Sequence, residues 1–414
     1  MKRKLHSVTH CCALPREPRG HLGRALGAIA LGLVAWAHAA PSAQAGASSS
    51  PLGTGRDRAR VYQGRKSYYL DKLPADLGAA PLAAVERWGE WAVESGYRLE
   101  LTADGRVLLL MKSRRTPRKE LKLIEETLEL FDELLPAPQR GEHGEPLPRL
   151  AEDAPLAALG SAVAPPWIQH GPEADTETIV LLAVDEQADY EAAIDLMVGT
   201  NQYLKSWAAS GKRQLGFVLD QPLCGSLPIG KLEPEEYDFR NELVHRLTRL
   251  LVTRRFGRQP WWLTVGLAWT MELELRGTVY CFPGKDGFVS RGSHGAWPNN
   301  LRNLLRKKDS GISWQRLADW QRWTWNDGDA TLAWGVTKYL SMDEAQALPM
   351  ILEDFRALRN IHGIDRGADG RWRILTDYTV SSADQKELLE GHLGEEFAEE
   401  MGAALAKGKW PRRR

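Results

Sequence analysis

The chain reads as an α+β protein, with a small mixed N-terminal unit and a larger C-terminal domain that is mainly helical after a small mixed sheet. Three observations predict this. Tyr97, Leu99 and Leu101 alternate before the turn signal Ala103-Asp104-Gly105, and a second apolar run follows, the pattern of a β-hairpin. Thr178 to Val184 is a short apolar run of strand length. From Glu235 onward the apolar spacing becomes helical and stays so over most of the remaining chain. With 414 residues, 43% hydrophobic and 26% charged, the composition is that of a globular protein of about two domains, neither disordered nor membranous.

Residues 1–45 read as a signal peptide. A basic stretch ending at Arg24 leads into the apolar run 25–37, and Ala37-His38-Ala39 and Ala43-Gln44-Ala45 offer two cleavage sites. A membrane anchor, the alternative, needs about 20 apolar residues, and this run stops at His38. The expected location is therefore exported (periplasmic, cell envelope or secreted), with no transmembrane span after cleavage. Formal net charge is zero, but the first 45 residues hold six bases and one acid, so the remainder carries −5. That balance argues against a nucleic-acid partner.

Residues 46–66, small, polar and charged, read as a flexible leader. A small α+β unit spans 67–136. It opens with a helix over 81–95, where Leu82, Val85, Trp88 and Trp91 fall near helical spacing and Pro81 suits the first position. The hairpin follows, then a helix over 120–135 stopped by Pro136. Residues 137–166, rich in proline, glycine, alanine and charge, read as a linker. The second domain, 167–414, starts with the strand 178–184 and a helix over 189–204. A strand over 214–219 and helices over 235–256 and 262–275 come next, with further helices to the end. Two cysteines lie beyond the signal peptide, Cys224 and Cys281. An oxidising compartment favours a disulfide between them; two buried thiols are the alternative.

The helix over 235–256 carries Asn241-Glu-Leu-Val-His245. In a His-Glu-x-x-His helix, two imidazoles four residues apart hold one zinc and the glutamate activates its water. Glu242 and His245 match that pattern, and Asn241 stands at the first histidine. About twenty residues on, Trp261-Trp-Leu-Thr-Val-Gly-Leu-Ala-Trp269 resembles the Trp-Leu-x-Glu-Gly-x-Ala stretch of gluzincin metallopeptidases, whose glutamate is the third zinc ligand. Trp262, Leu263, Gly266 and Ala268 fit, and Val265 stands at the ligand. The resemblance implies a zincin-like fold for the C-terminal domain, with Glu242 as a vestigial general base and His245 as the one matching metal ligand. An amide is a poor substitute for imidazole at zinc, and valine offers no donor. The resemblance thus implies a pseudoenzyme without a cofactor, which binds a peptide or protein segment in its old substrate cleft by strand addition near 214–219.

Three alternatives stand beside it. An active zinc metallopeptidase with an atypical site, even one relocated to His294, Glu272 or Asp329, would need zinc. A glycan- or cell-wall-binding envelope protein would use some of the 16 tryptophans, clustered at 261, 262 and 269 and at 314, 320, 323 and 325. Tryptophans near helical spacing equally suit a core. The last alternative is a purely structural exported domain.

Overall fold

The computed structural model describes residues 60–136, 177–200, 204–214, 216–220, 222–233, 238–282, 287–288, 296–306, 314–320, 326–362, 364–366, 372–374 and 379–408. The expected signal peptide and linker, most of the leader, His294, Trp323 and Trp325 lie outside these residues.

In chain order the elements are β1 (Arg60–Gln63), β2 (Lys66–Tyr69), α1 (Ala79–Glu94), β3 (Arg98–Leu101), β4 (Val107–Met111), α2 (Arg118–Leu134), β5 (Ile179–Val184), α3 (Gln187–Thr200), α4 (Lys205–Gly211), β6 (Val218–Asp220) and β7 (Leu223–Pro228). Then come α5 (Phe239–Phe256), α6 (Trp261–Arg276), β8 (Cys281–Phe282), β9 (Gly287–Phe288), α7 (Trp297–Leu305), α8 (Trp314–Ala318), α9 (Asp327–Met342), α10 (Ala347–His362), β10 (Ile364–Arg366), β11 (Trp372–Ile374), α11 (Ser382–Leu393) and α12 (Phe397–Lys407). The protein is α+β and mainly helical, around one mixed seven-stranded sheet of order β2-β1-β3-β4-β5-β7-β6.

The hairpin read from residues 97–111 is present: β3 pairs antiparallel with β4, Arg98 opposite Met111 and Leu101 opposite Leu108. Its turn needs Gly105, whose φ is +75°. Beside it β4, β5 and β7 run parallel, and β5 is buried along its whole length. Strands covered on both faces read as continuous apolar runs rather than alternations, and here alternation divides one run between two cores. Val107, Leu109, Ile179 and Leu181 face a core shared with α2, α5 and α6. Leu108, Leu110, Val180 and Leu182 face a second core with α1 and α3.

This sheet corrects the domain partition. Residues 67–136 and 167–414 do not form separate sheets, because β4 pairs with β5 in parallel from Val107 opposite Ile179 to Met111 opposite Ala183. Parallel pairing requires a crossover, and α2 with the segment after it provides one. The composition of 137–166 marks a connection, not a domain boundary.

β6 begins at Val218, later than the expected 214, because Gly216 at φ +107° breaks the extended backbone before it. β7 was not evident in the sequence: Cys224, Gly225, Ser226 and Pro228 give no strand signature, yet all six residues are buried. Asp238 caps α5, its side chain accepting from the N–H groups of Arg240 and Asn241. Gly277, left-handed at φ +70°, ends α6. No helix among the described residues is long and apolar enough to cross a membrane.

Candidate functional site

α5 lies against β7 and β6 at one end of the sheet, and α6 packs against both α5 and α9. The contact with α9 depends on Gly266: a Cβ there would lie 2.6 Å from Thr337 Cγ2 and 2.7 Å from the Ala333 carbonyl oxygen. The glycine of the Trp-Leu-x-x-Gly-x-Ala stretch therefore serves helix packing. Val265, beside it at the third-ligand position, is fully buried and apolar.

Asn241 and His245, four residues apart, share one face of α5 and point into the protein, at 0% and 2% exposure. One carboxylate joins them. Glu272 of α6, fully buried, accepts hydrogen bonds from His245 Nδ1 on Oε1 at 2.7 Å and from the Asn241 amide on Oε2 at 2.9 Å. The Tyr280 backbone N–H also donates to Oε2 at 3.0 Å, and Asn241 Nδ2 donates to the Thr278 carbonyl at 2.7 Å. The residues at two ligand positions of a His-Glu-x-x-His helix are thus bridged by a side chain of the next helix.

Burial, reinforced by the Arg249 and Arg246 guanidinium groups, holds the His245 imidazole well below its usual pKa. It is therefore neutral, with its proton on Nδ1 toward Glu272 and a lone pair on Nε2. Among the described residues Nε2 has no hydrogen-bond partner. The Trp269 ring lies beside it, centroids 6.1 Å apart.

This neutral state fixes a pH dependence. Above the unfolded value of about 6.5 both states are neutral and His245 adds no slope. Below it the unfolded chain binds a proton that the fold refuses, so stability falls as pH falls, approaching about 1.4 kcal/mol per pH unit until the folded pKa is reached. Urea denaturation between neutral pH and the onset of carboxylate titration should show this loss in the native chain. His245→Gln should flatten it, and equal slopes in both proteins would refute a buried neutral imidazole.

Glu242 is only 5% exposed. Its carboxylate is bound by Arg246 one turn on, and the same guanidinium donates to the carbonyl oxygens of Phe217 in the β6 approach and Ser226 in β7. The pair forms a clamp between α5 and the sheet edge.

The donor set does not fit zinc. His245 has the carboxylate-backed Nδ1 and open Nε2 of a metal-bound histidine, but it supplies one nitrogen where three protein ligands are needed. Asn241 turns its amide to Glu272 and Thr278, and Val265 has no donor. Of the candidates for a relocated site, Glu272 is engaged in the bridge, and Asp329 meets Arg316 at 2.6 Å near the start of α9. Among the described residues no three His, Cys, Asp or Glu side chains stand together as a metal group.

The tryptophans at 262, 269, 314 and 320 are buried, at most 8% exposed, and present no platform to a sugar. Trp269 packs edge-on to Trp297 at 5.1 Å and lies 6.0 Å from Trp320, while Trp262 meets Trp314 at 6.0 Å. Asp327-Gly-Asp329 opens α9, capped by Asn326. Cys224 is a free, fully buried thiol whose pKa burial raises; of the two readings for this cysteine the structure has the unbridged one. The side chain of Cys281 lies outside the described residues.

The bridge was missed in the sequence, where Glu272 figured only as a possible relocated ligand. The available signal was its spacing: Val265, Trp269 and Glu272 share one face of α6, so an acid continues a stripe that is otherwise apolar. No known family model matches the chain, and no curated protein matches it.

Proposed function

We propose that this chain is an exported, gluzincin-like protein without a working metal centre, which captures an extended peptide or protein segment along the free edge of β6. The observation that carries the reading is the edge itself. β6 closes one end of the sheet, runs antiparallel to β7, and lies over α5, the helix with Glu242 and His245. The gluzincin resemblance implies a substrate laid against an edge strand above the helix with the Glu-x-x-His spacing, and an edge strand packed on α5 supports that reading. The bridge by Glu272 supports a role without catalysis, since it closes the ligand face of α5 with hydrogen bonds internal to the protein.

Ladder geometry identifies the backbone available to a partner. Ser226 N–H donates to the Phe217 carbonyl at 3.0 Å, so Phe217 turns its polar groups to β7. Peptide groups alternate along an antiparallel strand, and those of Val218, opposite Gly225, point outward. Phe217 is also committed to the core, its ring stacked on Tyr190 at 5.8 Å and edge-on to Trp207 at 5.5 Å. A proline at 217 would damage the fold. At Val218 it removes an outward donor, which edge strands tolerate.

The test pans a peptide-display library against the full chain and against Val218→Pro, with thermal melting to show that the variant folds. Recovered peptides should bind the native chain and lose about tenfold or more in affinity for the variant, the value of one or two main-chain hydrogen bonds. Equal binding by both proteins would remove β6 from the reading. Chelator-sensitive peptide cleavage lost in Glu242→Gln would overturn the non-catalytic assignment.

A further inference from the structure

β6 offers a captured strand little backbone. Its three residues follow closely on Gly216, whose φ of +107° breaks the extended chain. The ladder with β7 ends there as well. Phe217 N–H donates to Ser226 Oγ at 3.1 Å, and Arg246 donates to the Ser226 carbonyl. Leu219, opposite Cys224, turns its peptide groups to β7, which leaves those of Val218 and Asp220 pointing outward. Hydrogen bonds to two residues are open to any extended peptide, so selectivity has to come from the side chains beside the edge.

The two faces of that edge differ, because side chains alternate along a strand. Val218 packs on the core shared with α5, and Asp220, on the same face, pairs with Arg258 just beyond the end of α5. Arg246 reaches the edge from α5 with Glu242 as its partner. This face is therefore polar, and these charges beside β6 are already paired.

The opposite face is apolar. Leu219 and Trp207 of α4 are half-buried, pack on the second core and both adjoin Phe217. Trp207 is fixed in place. Its ring meets Phe217 edge-on at 5.5 Å and covers Gly211, where a Cβ would lie 2.5 Å from the indole. An indole held in this way keeps part of its surface uncovered without losing its orientation, so little entropy is lost when a partner covers it.

From this asymmetry we propose that the segment captured at β6 is an amphipathic strand, polar toward α5 and anchored by an aliphatic side chain on a ledge formed by Leu219 and Trp207. The inference rests on strand capture at β6 and names the class of peptide captured. In an antiparallel pairing the anchor stands directly opposite Leu219, at a non-hydrogen-bonded pair, where side chains approach most closely. It covers Leu219 and the open part of the Trp207 ring, while the period of the strand turns its neighbours to the polar face. An amide in place of the anchor gives up water against an apolar surface.

The test uses the full chain and two dye-labelled peptides, read by fluorescence anisotropy. One is Ser-Thr-Val-Thr-Val-Thr-Val-Thr-Ser, and the other has glutamine at each valine. The native chain should bind the valine peptide about tenfold more tightly or better. Trp207→Ala should bring the two affinities within about threefold of each other. Leu219→Thr should do the same; it keeps a β-branched residue in the strand and leaves the Trp207–Phe217 contact intact, so it separates loss of the ledge from loss of the fold. Thermal melting checks both variants. Equal affinity of the native chain for both peptides, with both weakened in Val218→Pro, would overturn the amphipathic assignment and leave strand capture standing. A tenfold preference that survives both ledge variants would overturn it too. Valine-peptide binding untouched by Val218→Pro, or no binding of either peptide, would refute strand capture itself and this inference with it.

Discussion

Glu272→Ala is expected to destabilise the fold by about 3–5 kcal/mol, the range for removing one partner from a buried charged network. The carboxylate receives the His245 ring, the Asn241 amide and the Tyr280 backbone N–H, and it is fully buried. Without it, each donor that lacks a replacement costs about 1–3 kcal/mol, partly offset because Asn241 keeps the Thr278 carbonyl. Glu272→Gln should cost less, since one oxygen survives. Denaturant midpoints of the three proteins would measure the series. A midpoint unchanged in Glu272→Ala would mean that the donors reach water, and that the ligand face of α5 is open rather than closed.

Trp269→Ala should cost a similar amount, about 3–5 kcal/mol. This side chain is 0% exposed and joins His245, Trp297 and Trp320, and Trp334 continues the chain of contacts 6.0 Å beyond Trp297. The cavity left between α6 and its neighbours would have no water-accessible wall to relax toward. Trp269→Phe should lose less, because a ring still spans the gap. The measurement also separates two uses of tryptophan. A residue serving as a sugar platform would alter glycan binding and leave the denaturation midpoint unmoved; the buried cluster predicts a lowered midpoint.

These expectations give the Asn241–His245 face of α5 a physical sense. In a His-Glu-x-x-His helix the inward face is held together by a metal, which supplies charge where two imidazoles converge. Here Asn241 and His245 converge on a carboxylate, and Glu242 pairs with Arg246, whose guanidinium reaches carbonyls at the edge of the sheet. Asn241 and Val265 are therefore parts of a packed, hydrogen-bonded interior. The partner capture proposed for β6 rests on main-chain groups that this interior does not consume.

Much of the local structure was legible because it depends on local chemistry. Apolar spacing located α1, α2, α5 and α6 to within a few residues, and the Ala-Asp-Gly turn located β3 and β4. β7 was not legible. Burial on both faces lets Cys224, Gly225 and Ser226 stand in a central strand, where neighbours on each side supply what the side chains lack. The partition at 137–166 failed for a related reason: β4 and β5 show in the sequence that each is apolar, but not that each pairs with the other.

The same division holds at the site. By itself the sequence determined that α5 carries an Asn-Glu-x-x-His spacing, that positions 241 and 245 share a face, and that α6 lacks an acid at 265, because helical period fixes all three. Only the tertiary structure decided what those residues do. Glu272 stands 27 positions from His245 and 31 from Asn241, and they meet because α5 and α6 pack together. Glu242, one turn from His245 in the chain, pairs with a guanidinium that also binds Ser226 in β7 and Phe217 just before β6. Helix spacing limits which side chains can converge; the packing of one helix on the next selects the partner, since a buried polar group must find its hydrogen bonds wherever the fold has placed them.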